Sequence, residues 1–414
     1  MEELKTAIPT RRQLEFQEWE FGLFLHFGIR TFYEGHADWD GKLMSAAEFL
    51  PTALDCDQWA KTAQRAGANY IVLTAKHHDG FALWNSRYTD FSIAASPWKE
   101  GKGDVLREFT DSCRRHNLKI GLYYSPMDAS GAKYADAKAY DDYFIAQVSE
   151  ILTGYGAIDM LWFDGCGSEK HTYDWPRIMG EVRRMQPEIL IFNMGDPDYR
   201  WVGNEAGLAP SPCWNTVASV EFSIQTEAKE AVGAGEPLWL PAECDCRMRD
   251  FNWFYSDSDA DTIKSVDELM GIYYYSVGRG CNLLLNIGPD RRGLLPDADA
   301  NRLLEFAAER DYRFAAPCPA TAESSSRYVF MPDAPLLLNH VAAQEDLAGG
   351  ERVREFTVKI QPEHGREAIT VYAGRNIGHR AVCRFPEVRA YRAWLEITRS
   401  DGEPKMRCVA FYAA

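Results

Sequence analysis

Acidic and imidazole side chains recur in this sequence directly after apolar segments. Asp164 follows the apolar run 160–163, and the pair His77 and His78 comes just after the run 70–75. A continuous apolar run bounded by a turn signal is typical of a strand that is buried on both faces. A polar residue at its end is held by a rigid element and is partly removed from water. Such a residue is a candidate for catalysis, although an aspartate there could instead cap the following helix.

The polar and aromatic residues at these strand ends suit one kind of chemistry. They are His26, His77, His78, Asp79, Tyr124, Asp128, Trp162, Asp164, Glu205, Glu243 and Asp245. Two carboxylates that face a sugar ring suit glycoside hydrolysis, in which one attacks the anomeric carbon and the other donates and then accepts a proton. Imidazole and indole groups suit the recognition of hydroxyls and stacking on the apolar face of a pyranose.

A metal site is an alternative use of the same residues. His77, His78 and Asp79 could ligate zinc in a hydrolase. Adjacent residues of a strand point to opposite faces, however, so both imidazoles reach one ion only if the strand has already ended. We therefore predict that the protein uses neither a metal nor another cofactor.

The elements that position these residues alternate between apolar strands and amphipathic helices. Strands are predicted at 21–25, 70–75, 119–124, 160–163, 189–192, 238–240 and 282–286. Helices are predicted at 5–20, 55–67, 104–117, 136–154, 175–186, 262–278 and 297–310. This alternation predicts a parallel sheet with helices outside it, and over about 310 residues the natural closure is a (β/α)8-type barrel. An open doubly wound sheet is the alternative, but no GxGxxG follows the first strand.

The pattern changes after Pro317, where short runs alternate with a period of two residues. Examples are the segments 354–360 and 390–397. Without an intervening helical pattern, such runs predict a small antiparallel β-sandwich. We therefore divide the chain into a catalytic barrel at 1–318 and a C-terminal sandwich at 319–414. We expect the sandwich to support the barrel.

The net charge of −16 over 414 residues argues against nucleic acids and anionic membranes as partners. No apolar run reaches the roughly 18 residues of a membrane span, and the N-terminus lacks the pattern of a signal peptide. The ten cysteines include no CxxC pair, so we expect reduced thiols and a cytoplasmic location. The sequence does not indicate the oligomeric state.

The segments that carry these residues resemble glycoside hydrolase family 29, the retaining α-L-fucosidases. The matching motifs are Gly22–Ile29, Thr74–Phe81, Tyr124–Pro126, Leu161–Gly165 and Leu284–Pro289. They occur in the order that the family shows. The resemblance implies a barrel followed by a β-sandwich, and a hydrolase that acts on fucosylated oligosaccharides.

The resemblance also implies roles for individual residues. Asp164 matches the family nucleophile, which forms a covalent fucosyl-enzyme intermediate. Tyr124 lies where the family often has an aromatic residue at a strand end. The residues that match contacts to the sugar ring and its hydroxyls are His26, His77, His78 and Trp162.

The acid/base is predicted from a separate motif. The segment Arg200–Gly207 resembles the branch of the family that is specific for α-1,3/1,4-linked fucose, in which the glutamate of this motif is the acid/base. We therefore assign this role to Glu205 and expect it to meet Asp164 at the open end of the barrel. Glu243, which we expect beside the pocket, is the runner-up and would fit a broad-specificity fucosidase. A fucose-binding protein without activity is the alternative from another class.

Two departures from the family pattern affect the predicted sugar contacts. The family usually has Glu-Trp after the first strand, whereas this chain has Asp38 and Trp39. We predict that both bind the sugar, with Glu34 or His36 as alternatives to the shorter aspartate. The branch also often has a tryptophan where this chain has Met127, which removes a stacking surface.

Overall fold

Eight parallel strands form the first sheet of the protein, whose computed structural model describes residues 7–33, 40–168, 170–218 and 237–413. The strands are β1 (Phe21–Leu25), β2 (Tyr70–Lys76), β3 (Lys119–Tyr124), β4 (Met160–Trp162), β5 (Leu190–Phe192), β6 (Arg200–Trp201), β7 (Ala242–Arg247) and β8 (Asn282–Asn286). Their order in the sheet is β5-β4-β3-β2-β1-β8-β7-β6. The predicted Asp38 and Trp39 lie outside the described residues.

Backbone hydrogen bonds link the two edges of this sheet and nearly close it. The amide of Asn193 donates to the carbonyl of Tyr199 at 3.0 Å, and the amide of Asp198 donates to the carbonyl of Ile191 at 2.9 Å. These bonds join the end of β5 to the residues just before β6. The predicted barrel is therefore confirmed, and the open doubly wound sheet is wrong.

Amphipathic helices cover the outside of the barrel. They are α1 (Arg11–Trp19), α2 (Cys56–Arg65), α3 (Val105–Arg115), α4 (Ala137–Gly154), α5 (Trp175–Met185), α6 (Val266–Tyr275) and α7 (Asp297–Arg313). Several begin at an aspartate whose carboxylate accepts from the first turn, as Asp104 does from the amide of Arg107 at 2.9 Å. Asp174, not Asp164, caps α5, so the capping role considered for Asp164 is wrong.

The period of two residues in the strands separates two layers of the core. In β4, Met160 and Trp162 pack inside the barrel with Phe24 and Tyr123, whereas Leu161 packs against the outer helices. A strand whose two faces are both apolar reads as a continuous hydrophobic run, which is why β4 was predictable.

The seventh barrel strand differs from the prediction. The segment 238–240 was expected to enter the barrel, but Pro237–Trp239 pairs with Thr216–Ala218 in a separate antiparallel hairpin. The barrel strand is β7, and the predicted polar strand end at Glu243 lies within it. Residues 200–201 were predicted as loop but form β6. Both segments carry charged residues, which hide a buried strand from a search for apolar runs.

Two antiparallel sheets form the C-terminal domain, as predicted. One contains β9 (Pro317–Pro319), β12 (Leu336–Glu345), β15 (Ala381–Ala390) and β17 (Met406–Ala413). The other contains β10 (Thr321–Ser324), β11 (Arg327–Phe330), β13 (Val353–Gln361), β14 (Ile369–Gly374) and β16 (Arg392–Ser400). The predicted boundary after residue 318 falls within β9.

Buried polar contacts join the sandwich to the barrel. The carboxylate of Glu351 accepts from the amides of Asn215 and Thr216 at 2.9 and 3.1 Å. Arg380 forms an ion pair with Glu20, which directly precedes β1, at 2.6 Å. The supporting role of the sandwich stays a prediction. In the described part of the chain, no helix combines the length and apolar character needed to cross a membrane.

Candidate active site

A cavity of about 260 Å³ opens where the barrel strands end. Seven of the residues predicted at the strand ends line it: His26, His77, His78, Trp162, Asp164, Glu205 and Asp245. Phe24, Tyr123, Cys166 and Trp253 complete the lining. Two carboxylates distant in sequence, Asp164 and Glu205, therefore share one cavity with imidazole and indole rings.

Asp164 is held in place by three donors. Its Oδ2 accepts from the hydroxyl of Tyr123 at 2.8 Å and lies 3.4 Å from Nε2 of His78, while its Oδ1 accepts from the amide of Cys166 at 2.9 Å. Burial alone would raise the pKa of Asp164, but His78 and the other donors outweigh it and lower the pKa. Asp164 is therefore an ionised carboxylate in a fixed orientation, which is the state that a nucleophile needs.

His78 is the cationic partner of this carboxylate. Its Nδ1 lies 2.6 Å from the hydroxyl oxygen of Ser125. Burial alone would lower the pKa of His78, but contacts with Asp164 and Cys166 outweigh burial and raise the pKa to about 9. The imidazole therefore carries a proton at neutral pH.

We expect the His78 ion pair to make the free energy of unfolding decrease as the pH rises above neutral. The folded pKa of about 9 exceeds the unfolded value of about 6.5, so the contribution is complete below the unfolded value and is lost as the pH rises through the folded one. The shift corresponds to about 3 kcal/mol of unfolding free energy. Urea unfolding across this range should show that His78→Gln removes the loss. The matched His364→Gln, on the exposed surface of the sandwich, should retain it, and equal curves for the wild type and His78→Gln would contradict the expectation.

His26 and His77 differ from His78 in charge. Burial lowers the pKa of His26 to about 3 and the pKa of His77 well below its ordinary value. Nδ1 of His26 lies 2.8 Å from Oδ1 of Asn286, whose amide nitrogen donates to the carbonyl of Trp253. This arrangement makes Nδ1 the donor, so that Nε2 of His26 carries the lone pair. Neutral imidazoles of this kind can bond to sugar hydroxyls as either donor or acceptor.

Glu205 reaches the cavity from a short ordered loop after β6. The side chain of Asn204 accepts from the amide of Ala206 at 3.0 Å and donates to the carbonyl of Leu208 at 2.8 Å. Gly207 has a φ of +73°, and a Cβ there would lie 2.9 Å from Sγ of Cys246. The loop therefore packs closely on β7, and this packing restricts the positions that the side chain of Glu205 can occupy.

Arg247 connects Glu205 to the aromatic wall of the cavity. Its Nη1 lies 3.2 Å from Oε2 of Glu205, and its guanidinium lies 5.1 Å from the ring centroid of Trp253. The side chain of Glu205 is 47% exposed. Glu205 is thus accessible to solvent at the mouth, whereas Asp164 is only 14% exposed in its side chain.

Asp245 is a third carboxyl group in the cavity. Its Oδ1 accepts from Nε1 of Trp201 at 2.6 Å. Burial, followed by the charge of Glu205, raises the pKa of Asp245 well above its ordinary value. Burial and the neighbouring charge therefore both favour the protonated form of Asp245.

Tyr123, rather than Tyr124, faces the cavity, which corrects the prediction for this strand. Tyr123 pairs in register with Trp162 across β3 and β4, so the two side chains share the inner face. Tyr124 points outward, is fully buried and donates to Gln147 at 2.8 Å. Asp128, another predicted strand-end residue, pairs with Lys76 outside the cavity at 2.9 Å.

Glu243 lies inside the barrel and is not among the residues that line the cavity. It is 1% exposed, and its two oxygens accept from the hydroxyl of Tyr70 and from Nε1 of Trp162, each at 2.8 Å. Burial raises the pKa of Glu243 to about 7. Glu243 therefore lies behind the lining of the cavity, in contact with Trp162, and its predicted contact with the substrate stays a prediction.

Comparison with known proteins identifies the family of this chain. The sequence model described as Alpha-L-fucosidase matches residues 6–308. The chain belongs to the α-L-fucosidase family. It is a glycoside hydrolase that releases fucose.

Relatives of this fucosidase are found in plants and bacteria. Alpha-L-fucosidase 1 of Arabidopsis thaliana is 30% identical over 98% of this chain and 87% of that protein. A family sequence from Oryza sativa subsp. japonica is 34% identical over 96% of this chain and 83% of that protein. The crystal structure of a glycoside hydrolase 29 family member from an unknown rumen bacterium has a TM-score of 0.89 at 32% identity, covering 100% of this chain and 78% of that one.

Sequence reasoning missed several residues that line the fucosidase cavity. Tyr123 could have been found from the alternation in β3, because Gly121 on the same face leaves room for inner side chains. Trp253 lies on the loop after β7, where no periodicity signals its direction. Among the described residues, no group of three or more His, Cys, Asp or Glu side chains is placed to hold a metal ion. Activity without a metal stays a prediction, which chelator treatment tests.

We expect the thiol of Cys166 to make this fucosidase sensitive to alkylation. Cys166 is an exposed free cysteine that lines the cavity two residues after Asp164. A carbamidomethyl group there would occupy space that a sugar needs. Iodoacetamide should therefore abolish activity, and L-fucose should slow the loss.

Two cysteine variants test this expectation. Cys166→Ser keeps the backbone donor to Asp164 and should be resistant to iodoacetamide. Cys408→Ser, which removes the other exposed cysteine, should remain as sensitive as the wild type. Equal rates of inactivation for the wild type and Cys166→Ser would place the reactive thiol elsewhere.

Proposed function

We propose that the protein is a retaining exo-α-L-fucosidase that hydrolyses terminal α-1,3/1,4-linked fucose, with Asp164 as nucleophile and Glu205 as acid/base. The observation that carries the proposal is that these two carboxylates line one cavity, one at its buried end and the other at its exposed mouth. Asp164 is deep, ionised and held by three donors. Glu205 is at the mouth, where a leaving group and water have access.

The mechanism follows from these two positions. The Asp164 carboxylate attacks the anomeric carbon while Glu205 donates a proton to the glycosidic oxygen, so the bond to the leaving sugar breaks as the ester bond to Asp164 forms. Glu205, now ionised, accepts a proton from water as that water attacks the anomeric carbon. The ester breaks, fucose leaves with its original anomeric configuration, and both carboxyl groups regain their starting states.

The remaining residues of the cavity bind and orient the sugar. His26 and His77 are neutral and can exchange hydrogen bonds with hydroxyls. Trp162 and Trp253 supply flat apolar surfaces for the ring and its methyl group. The pKa of Asp245 is raised by burial and by the charge of Glu205, and its Oδ1 accepts from Nε1 of Trp201. His78 balances the charge of Asp164 until that charge is consumed in the ester.

The linkage preference rests on the resemblance of the loop that carries Glu205. A panel of α-1,2-, α-1,3-, α-1,4- and α-1,6-fucosylated oligosaccharides tests it by the fucose released. We expect α-1,3 and α-1,4 linkages to exceed the others in kcat/KM by about a hundredfold, since each well-placed contact to the leaving sugar favours them. Similar rates on all four linkages would support a broad-specificity enzyme instead. No release from any fucoside by the intact protein would overturn the whole proposal.

A broad-specificity fucosidase with Glu243 as acid/base is the second candidate. The contacts of Glu243 weigh against it, because both of its oxygens are engaged inside the barrel. A general acid must come within hydrogen-bond reach of the leaving oxygen, directly or through one water. Glu205 meets this requirement more readily, since it lies on the cavity wall.

We also propose that the enzyme works in the cytoplasm on short imported oligosaccharides. All ten cysteines are free thiols, and seven of them are buried, which suits a reducing compartment. Fractionation of the source cells with an activity assay tests this. Activity confined to the medium or the cell envelope would contradict it.

A further inference from the structure

Glu243 is a buried carboxyl group inside the barrel, where apolar side chains are more common. It is 1% exposed, and its hydrogen-bond donors within the described part of the chain are two neutral groups, the hydroxyl of Tyr70 and the indole N–H of Trp162. Burying a carboxylate without a cation costs free energy, and an apolar side chain of similar size would be cheaper to bury. The pKa of about 7 reflects this cost.

The hydrogen bond to Glu243 fixes the indole of Trp162 in one position. Its indole stacks on Phe192 at 3.9 Å and 13° and on Tyr123 at 5.4 Å and 22° between ring centroids. Stacking fixes the plane of a ring but leaves it free to slide within that plane. The bond from Nε1 to Oε1 of Glu243 at 2.8 Å removes that freedom, because the indole has only this one donor.

The fixed indole in turn supports the nucleophile. Trp162 forms a wall of the cavity, and its neighbour Tyr123 donates to Oδ2 of Asp164 at 2.8 Å. Displacement of the indole would therefore change both the surface offered to the sugar and the packing behind the Tyr123 hydroxyl. A misplacement of about 1 Å at such a site can cost a hundredfold in rate.

We propose that Glu243 is a positioning residue, whose carboxylate locks the Trp162 indole as the surface against which the fucose ring binds. The inference rests on the proposed function in one respect, namely that Trp162 contacts the fucose ring. It differs from the role of acid/base, because Glu243 acts through Trp162 and transfers no proton to the substrate.

The experiment measures KM and kcat on an aryl α-L-fucoside and the inhibition constant of L-fucose. Glu243→Leu should raise both KM and the inhibition constant by about tenfold or more, because the wall that binds the sugar is displaced. Glu243→Gln should recover most of the affinity, since its amide oxygen can accept from Trp162 while its NH2 group donates to Tyr70. Trp162→Phe removes the donor, and Glu243→Leu added to it should raise the inhibition constant no further.

A matched control separates positioning from stability. Glu345 in the sandwich is also buried, and burial also raises its pKa to about 7. Glu345→Gln should change the melting temperature and leave KM and the inhibition constant unaltered. A purely structural Glu243 would behave in the same way, with fewer active molecules but unchanged constants.

The outcomes distinguish this inference from the proposed function. If L-fucose does not inhibit the wild type, the assignment of the cavity to fucose fails. If L-fucose inhibits the wild type and Glu243→Leu equally, or if the two substitutions act independently in the double variant, the positioning role of Glu243 is wrong while the fucose site stands. A Glu243→Gln variant that binds fucose normally but turns over only activated substrates would instead assign proton transfer to Glu243.

Discussion

Asp164→Ala should lower kcat on an aryl α-L-fucoside by a factor on the order of 10⁴ or more, because no covalent intermediate can form without this carboxylate. Removal of the deeply held carboxylate leaves His78 and Tyr123 without their shared acceptor. The loss should appear in kcat with little change in KM, since the hydroxyl-binding residues remain. Steady-state kinetics with a chromogenic fucoside measures both constants.

Small nucleophiles and a matched variant give the control for Asp164. Azide can enter the space left by Asp164→Ala and attack the anomeric carbon directly, which should restore turnover and give a fucosyl azide of inverted, β configuration. Asp159→Asn, at the opposite end of β4, should affect stability rather than turnover, because the bottom of such a barrel is remote from the chemistry. Retained turnover by Asp164→Ala without added azide would remove Asp164 from the mechanism.

Most of the barrel could be predicted because its strands are buried on both faces. The runs that became β1 to β5 and β8 are apolar at nearly every position, so tertiary context and local pattern agree. The strand β7 does not form such an apolar run and was not predicted, because its inner face carries Glu243 and Asp245. Buried polar residues are concentrated in the strands that form the site, so a search for apolar runs misses such a strand.

The residues on rigid strand ends were predictable as a group, but their individual directions were not. The sequence predicted that the end of β3 contributes an aromatic ring, yet the choice between Tyr123 and Tyr124 depends on register with Trp162. A shift of one residue moves a side chain to the other face. The alternation in β3, with Gly121 on the same face as Tyr123, was the one signal in the sequence, and the pairing of neighbouring strands in space decides the choice.

The charge states of the site were also beyond the sequence. His77 and His78 are adjacent and chemically identical, but burial lowers the pKa of the first, whereas Asp164 raises that of the second to about 9. The difference comes from contacts of His78 with Asp164 and Cys166, which lie more than eighty positions away in the sequence. Motif matching assigned both histidines to sugar binding, while the structure separates a neutral imidazole, His77, from a cation, His78, that pairs with Asp164.

The same limit applies to the choice between two glutamates, which kinetics can decide. Glu205→Ala should lower kcat/KM on a fucosylated oligosaccharide by roughly 10²- to 10⁴-fold, because the departing sugar hydroxyl needs a proton. On an aryl fucoside whose phenol leaves readily, formation of the intermediate should be far less affected, and breakdown of the intermediate should become rate-limiting. A burst of phenol before the steady state would show this accumulation.

Azide identifies which carboxyl is the base. In Glu205→Ala, azide needs no base and should attack the fucosyl ester of Asp164, which should accelerate the steady state and give a fucosyl azide of retained, α configuration. Asp245→Asn, the matched loss of another cavity carboxyl, should show no such rescue, because burial and the charge of Glu205 disfavour the ionised form that a base requires, and Oδ1 of Asp245 accepts from Trp201. Full activity of Glu205→Ala on oligosaccharides would mean that proton transfer belongs to another group. An exposed glutamate at the mouth and an ionised aspartate at depth form a retaining pair only if both azide products have the expected configurations.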